Sequence, residues 1–138
     1  MFLLDTNVVS ELRKAKAGQA DSKVISWAKD TSPLSLFISV ITLLELEIGV
    51  LQIERRDPIQ GAMLREWLDL HVLPAFQNRI LPIDELVARQ CARFHIPNPM
   101  SERDALIAAT AQVHHMTVVT RNTSDFQSLG IPLLNPWH

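Results

Sequence analysis

Short, continuous runs of apolar residues alternate along the chain with longer segments in which apolar residues recur at the spacing of an α-helix. The runs are rich in Leu, Ile and Val, and they have the length of strands. They are Phe2 to Leu4, Leu36 to Val40, Ile80 to Ile83, Thr117 to Thr120 and Ile131 to Leu134. Strands that are apolar at every position, instead of every second one, predict a parallel sheet that is covered on both faces.

Helical periodicity covers most of the sequence between these strands. The predicted helices are Val8 to Lys16, Asp21 to Lys29, Ile41 to Glu54, Pro58 to Ala75, Glu85 to Phe94 and Glu102 to His115. Asp21 and Asp84 are expected N-caps, and Pro58 suits a first helical turn. Alternating strands and helices predict a three-layer α/β/α sandwich with a mostly parallel sheet of about five strands. No linker or repeat interrupts the pattern, so we expect residues 1–138 to form a single domain.

The composition limits the size of the core, the redox environment and the cellular location that we expect. A chain of 138 residues with 47% hydrophobic content can bury one substantial core. The single cysteine, Cys91, cannot form an internal disulfide, and no group of Cys and His has zinc-finger spacing. No signal peptide is evident, and no uncharged apolar run approaches the roughly 20 residues that span a bilayer. We therefore expect a cytoplasmic protein that does not bind membranes.

The formal net charge of −2 is far from the basic balance of a protein that grips nucleic acid over a wide surface. A chain of this charge can bind nucleic acid only if its acidic residues are concentrated at a metal site, because the metal then reverses the local sign. In that case Arg121 is the basic residue that we favour for contact with the nucleic acid.

Four acidic residues stand where the predicted elements begin or end. Asp5 directly follows the first strand, and Glu45 lies near the start of the helix after the second strand. Asp104 lies at the start of an Ala-rich helix, and Asp125 lies in the loop after the fourth strand. Ligand sites of parallel sheets lie beyond the carboxyl ends of the strands. We therefore predict that these four residues form a catalytic site.

Polar residues accompany the acids in the same loops. They offer hydroxyl, amide and guanidinium groups and are candidates for positioning the substrate. These residues are Thr6, Asn7, Thr120, Arg121 and Asn122.

Convergence of carboxylates predicts a metal ion. Two carboxylates at 4 Å repel each other by about 4 kcal/mol at an effective dielectric constant near 20, and a divalent cation removes this cost. All-oxygen ligands favour Mg²⁺ or Mn²⁺ over zinc. Such an ion can supply an ionised water for attack on a phosphodiester.

Each acid also has a purely structural interpretation. Asp5 and Asp104 could be ordinary helix caps, Glu45 could be paired with an arginine, and Asp125 could cap a short turn. Other enzyme classes fit poorly. A phosphoaspartyl phosphatase needs a second Asp where this chain has Asn7, and a P-loop enzyme needs a Gly-Lys-Ser/Thr segment that is missing.

Taken in order, these motifs resemble those of VapC-type PIN-domain toxins, and the last of them resembles the FitB-like branch. The match covers essentially the whole chain and is specific through the combination of motifs. The motifs are Leu3-Leu-Asp5-Thr-Asn7, Ser39-Val-Ile-Thr-Leu-Leu-Glu45 with Gly49, Asp104-Ala-Leu-Ile-Ala-Ala109, Val118-Val-Thr120-Arg-Asn122-Thr-Ser-Asp125-Phe126 and Leu134-Asn-Pro-Trp137-His138.

The resemblance implies a PIN fold and a Mg²⁺-dependent endoribonuclease, with Mn²⁺ as an expected substitute. By position, Asp5, Glu45 and Asp104 match the family's metal-binding acids. Some FitB-like members have an aspartate where this chain has Asn122, so the site has three acids or recruits Asp125.

The resemblance also implies partners. It predicts a homodimer and a cognate antitoxin that blocks the site and helps the complex to bind operator DNA. Structured RNA, with tRNA as the leading class, is the implied substrate. The alternative is a catalytically silent module that acts only through the antitoxin and DNA.

Overall fold

The short apolar runs form one parallel sheet in the computed structural model, which describes residues 1–138. The strands are β1 (Phe2–Leu4), β2 (Leu36–Ser39), β3 (Ile80–Leu81), β4 (Thr117–Val119) and β5 (Leu133–Leu134). Their order is β3-β2-β1-β4-β5, so the first strand of the chain is the central one. Leu3 of β1 pairs with Phe37 on one side and with Val118 on the other.

Helices cover both faces of this sheet, which confirms the predicted α/β sandwich. They are α1 (Thr6–Arg13), α2 (Ser22–Lys29), α3 (Val40–Arg56), α4 (Pro58–Trp67), α5 (Leu73–Ala75), α6 (Glu85–Phe94) and α7 (Glu102–Val113). None of them combines the length and the apolar composition that crossing a bilayer requires.

Consecutive strand residues enter different cores, which explains why the strands are apolar at every position. Leu4 and Val119 pack in a core with residues of α1, α3 and the segment after α4. Leu3 and Val118 pack in a second core, mainly with the Ala-rich helix α7 and Phe126. Because side chains alternate between the faces of a strand, a sheet buried on both sides needs apolar residues throughout.

Four strands are shorter than the sequence predicts, for local reasons. β2 ends at Ser39, whose hydroxyl accepts a hydrogen bond from Ile41 N at 3.0 Å and caps α3. β3 ends before Pro82 and β5 begins after Pro132, since proline has no N–H to donate to a neighbouring strand. β4 ends one residue before Thr120, whose side chain turns into the site described below.

Helix starts are confirmed better than helix ends. Asp21 and Asp84 cap α2 and α6, and Pro58 occupies the first turn of α4. The predicted helix Val8 to Lys16 instead begins at Thr6, because Asp5 is its cap, and it ends at Arg13 in a 3₁₀ turn.

The predicted helix Pro58 to Ala75 is interrupted. Residues Leu68–Val72 form a widened π turn between α4 and α5. Pro74 lacks the N–H that would bond to the carbonyl of Leu70, and its ring crowds that carbonyl. Regular α-helical hydrogen bonding is therefore interrupted ahead of this proline and resumes with the bond from Phe76 N to the carbonyl of Val72 at 3.1 Å.

Candidate active site

Asp5 lies at the carboxyl end of the central strand, where it is 7% exposed. Its Oδ1 accepts a hydrogen bond from Thr6 N at 2.8 Å and so caps α1. Its Oδ2 accepts a bond from the Thr120 hydroxyl at 2.8 Å. The structural interpretation of Asp5 as a cap is therefore correct, but it accounts for only one of the two carboxylate oxygens.

Thr120 joins β4 to this carboxylate. It is fully buried, and its hydroxyl donates to Asp5 while accepting from Asn7 Nδ2 at 3.3 Å and from Asn122 N at 3.0 Å. A hydroxyl has one proton and two lone pairs, so its hydrogen-bonding capacity is fully used. The network fixes the orientation of Asp5 Oδ2 and of the loop that follows β4.

Glu45 reaches the same edge from α3. Its Oε1 accepts a hydrogen bond from the Thr6 hydroxyl at 2.7 Å. Thr6 thereby holds two acids, Asp5 through its backbone N–H and Glu45 through its side chain. Glu47, two residues further along α3, turns away and forms an ion pair with Arg65.

Arg103 is the functional neighbour that the sequence did not reveal. Its Nη1 lies 3.7 Å from Glu45 Oε2, although the side chain is 49% exposed. Glu45 thus has the arginine partner that the structural interpretation required. This ion pair joins α7 to α3, and no pattern within one element could indicate it.

Asp104 lies in the first turn of α7, where Ser101 is the N-cap and not Asp104 itself. Burial raises the pKa of its carboxyl to about 6, together with the negative charges of Asp5, Asp125 and Glu45. The pKa of Asp5 is raised as well, first by burial and then by the charges of Glu45 and Asp125. The four predicted acids therefore lie close enough to repel one another.

Asp125 and Asn122 contribute different groups to the site. Asp125 lies in the 3₁₀ turn Thr123–Asp125, and its charge raises the pKa of both Asp5 and Asp104. Asn122 contributes its backbone N–H to Thr120. Of the two residues left open by the sequence, only Asp125 adds a negative charge to this edge.

The acids are spaced so that no three of them can bind one ion directly in this structure. No three of their oxygen atoms from different residues lie within 4.8 Å of one another. Mg²⁺ binds oxygen atoms at about 2.1 Å, usually through one or two carboxylates and several waters. An all-oxygen donor set in which burial and neighbouring charges raise the pKa of Asp5 and Asp104 fits such an ion, because its charge relieves the repulsion.

Cys91, His95 and Glu102 form a second polar cluster between α6 and α7, with sulfur, nitrogen and oxygen atoms 3.7 to 3.9 Å apart. Met100 N donates to His95 Nδ1 at 3.2 Å, so a neutral ring carries its proton on Nε2. That nitrogen faces Cys91 and Glu102, and a metal would need it unprotonated. The cluster is therefore a set of polar contacts that links α6 to α7.

The raised pKa of Asp104 leads to a prediction for the metal-free protein. The folded state holds this proton more tightly than the unfolded chain, so stability falls as pH rises from about 4 to about 6. After allowance for solvent screening of this partly exposed group, the loss is about 1 kcal/mol. In EDTA near neutral pH, Asp104→Asn should therefore raise the melting temperature by about 4 °C.

Thermal unfolding of both proteins across this pH range checks the prediction. Near pH 4 the two melting temperatures should converge, because the Asp104 carboxyl is then largely protonated. A constant difference at every pH would contradict the proposed origin of the effect.

Comparison with known proteins agrees with this geometry. The sequence model of the family described as PIN domain matches residues 2–131. Toxin FitB of Neisseria gonorrhoeae is 37% identical over 144 residues, which cover 100% of this chain and 99% of the relative. VapC ribonuclease Y4jK of Sinorhizobium fredii is 37% identical over 145 residues, with 99% and 98% covered.

A solved structure of FitAB bound to an IR36 DNA fragment contains a chain with the same fold. It matches with a TM-score of 0.87 and 35% identity, covering 100% of this chain and 96% of the other. The resemblance that the motifs around the acids indicate is thereby confirmed. The chain belongs to the PIN-domain family, among relatives that include VapC ribonucleases and toxin FitB.

Proposed function

We propose that this protein is a metal-dependent endoribonuclease and the toxin of a type II toxin-antitoxin pair. The observation that carries the proposal is the convergence of Asp5, Glu45, Asp104 and Asp125 at one edge of the sheet, where burial and the neighbouring negative charges raise the pKa of Asp5 and of Asp104. The names of the relatives support it, since one is a ribonuclease and another a toxin.

Asp5, Glu45 and Asp104 are the proposed ligands of Mg²⁺ or Mn²⁺, with Asp125 as a further catalytic acid. When bound, the ion supplies an activated water for hydrolysis of a phosphodiester. Thr6 and Thr120 keep the acids oriented through hydrogen bonds of 2.7 to 2.8 Å, without reorganisation during the reaction.

Substrate contacts are assigned to the loops that frame these acids. The Asn7 amide spans Asp5 Oδ2 and Thr120 at 3.4 and 3.3 Å, and its oxygen accepts from Arg121 N at 3.2 Å. The Asn122 side chain is exposed in the same loop. We propose that these residues position structured RNA, with tRNA as the leading class.

A groove of about 380 Å³ leads from Thr6 and Glu45 along α1, α3 and α4. Its apolar lining includes Leu46, Leu64 and Trp67. We propose that it receives an apolar segment of the antitoxin, with a cationic side chain directed towards the acids. Binding of operator DNA is assigned to that complex, and a cytoplasmic homodimer remains part of the proposal.

The decisive experiment incubates the purified, antitoxin-free protein with total cellular RNA and sequences the newly formed ends. Discrete cuts are expected with Mg²⁺ or Mn²⁺, and none with EDTA. A folded protein that makes no cut with any divalent metal would overturn the nuclease proposal and favour a module that acts only through antitoxin and DNA.

A further inference from the structure

The C-terminal segment after β5 folds back onto the loop that follows β4. The Arg121 guanidinium lies over the indole ring of Trp137, 5.3 Å from the ring centre. A guanidinium at this distance from an aromatic face is held by a cation-π interaction. The two residues belong to different strand-loop units, so their contact is a product of the fold.

The backbone of Arg121 is fixed on both sides. Its N–H donates to Asn7 Oδ1 at 3.2 Å, and its carbonyl accepts from Asn135 Nδ2 at 3.4 Å. Asn135 Oδ1 in turn accepts from Trp137 N at 2.9 Å. Asn7 therefore anchors Arg121 to the Asp5 network, and Asn135 links the backbone of Trp137 to that of Arg121.

Apart from the Trp137 ring, the guanidinium has no partner within the protein. No carboxylate lies within salt-bridge distance, and none of its N–H groups donates a hydrogen bond. By contrast, Arg65 is paired with Glu47 and Glu54, and Arg103 is paired with Glu45. Arg121 thus presents unused donors on a loop whose backbone is hydrogen-bonded to Asn7 of the site.

An unpaired, pre-oriented guanidinium suits a phosphate. Its planar fork matches two phosphate oxygens, and immobilisation on an aromatic ring lowers the entropy lost on binding. The acidic edge of the sheet repels a polyanion, so a fixed cation beside it also helps to hold the RNA backbone.

We propose that Trp137 is a positioning residue that holds Arg121 in place to bind a backbone phosphate of RNA at the acidic site. The inference rests on the proposed function for the identity of the nucleic acid. It assigns the C-terminal segment to the substrate site, a role that packing alone does not require.

The test measures RNA binding, so that it does not depend on cleavage. A fluorescein-labelled, single-stranded RNA of mixed sequence is titrated with protein in Ca²⁺ at several salt concentrations, and gels verify that it stays intact. Loss of one phosphate contact reduces the slope of log K against log salt by about 0.7. Arg121→Gln should show this reduction, whereas Arg89→Gln, which removes the same charge from an exposed site on α6, should not.

Variants of Trp137 separate positioning from packing. Trp137→Leu should weaken RNA binding by about 2-fold to 5-fold, as expected for the loss of an exposed cation-π contact, and Trp137→Phe should retain most of the affinity. In cleavage assays, Trp137→Leu should raise KM by the same factor and leave kcat unchanged. The Phe variant keeps the test informative if the Leu variant folds poorly.

Three results would overturn the inference. They are an unchanged salt slope in Arg121→Gln, wild-type affinity in Trp137→Leu, or equal losses in the Leu and Phe variants. A wild-type protein that shows the expected Arg121-dependent binding but never cuts RNA would instead refute the nuclease proposal alone.

Discussion

Replacing Asp5 by asparagine should lower the rate of metal-dependent RNA cleavage by at least about 100-fold, because even outer-shell changes at metal sites cost about 10-fold to 100-fold. Asparagine retains one oxygen that can accept the Thr6 N–H and cap α1. The variant loses the buried negative charge that a divalent cation requires. The fold should persist while the activity is lost.

Initial rates of RNA cleavage in saturating Mg²⁺ measure this effect. Asp84→Asn is the matched control, since Asp84 also caps a helix, α6, by accepting from Val87 N at 3.0 Å, but is not among the converging acids. The control should cleave at the wild-type rate. Substantial cleavage by Asp5→Asn would show that Asp5 acts only as a cap and would remove the central ligand of the proposed site.

Gly61→Ala should reduce the free energy of unfolding by about 3 kcal/mol, the upper range for overpacking. A Cβ added at Gly61 would lie 2.4 Å from Glu54 Cα and 2.8 Å from Glu54 N. These are backbone atoms of α3, which no side-chain rotation can displace. The preference of helices for alanine, about 1 kcal/mol, is too small to compensate.

Gly49→Ala provides the control for this change. Gly49 lies within α3, and a Cβ there would meet no atom within 4 Å, so alanine should stabilise the helix by up to about 1 kcal/mol. Urea unfolding of both variants gives the comparison. Equal stability changes in the two variants would mean that the helix pair does not pack as closely as described.

The fold was predictable because the burial of each strand is visible in its own residues. Leu3 and Leu4 enter opposite cores, so the strand is apolar throughout and can be recognised without knowledge of its neighbours. The ends of strands and helices depend on single residues that can take more than one structural role, so they are harder to predict. Ser39 leaves its strand to cap a helix, and Pro74 interrupts a periodic segment.

The acids of the candidate site were predictable for a related reason. Asp5 and Asp104 adjoin apolar segments that fix their place at the sheet edge, and Glu45 lies among aliphatic residues. Their partners were harder to identify. Arg103 reaches Glu45 from another helix, and Trp137 reaches Arg121 from another loop, so both contacts depend on the assembled tertiary structure.

The hydrogen bond between Thr120 and Asp5 joins residues 115 positions apart. Such a contact forms only after a long stretch of chain has been synthesised and folded. During translation, β1 cannot pair with β4 until Thr117–Val119 have left the ribosome. An unfinished chain therefore carries Asp5 and Glu45 before Asp104, Thr120 and Asp125 have been added to complete the site.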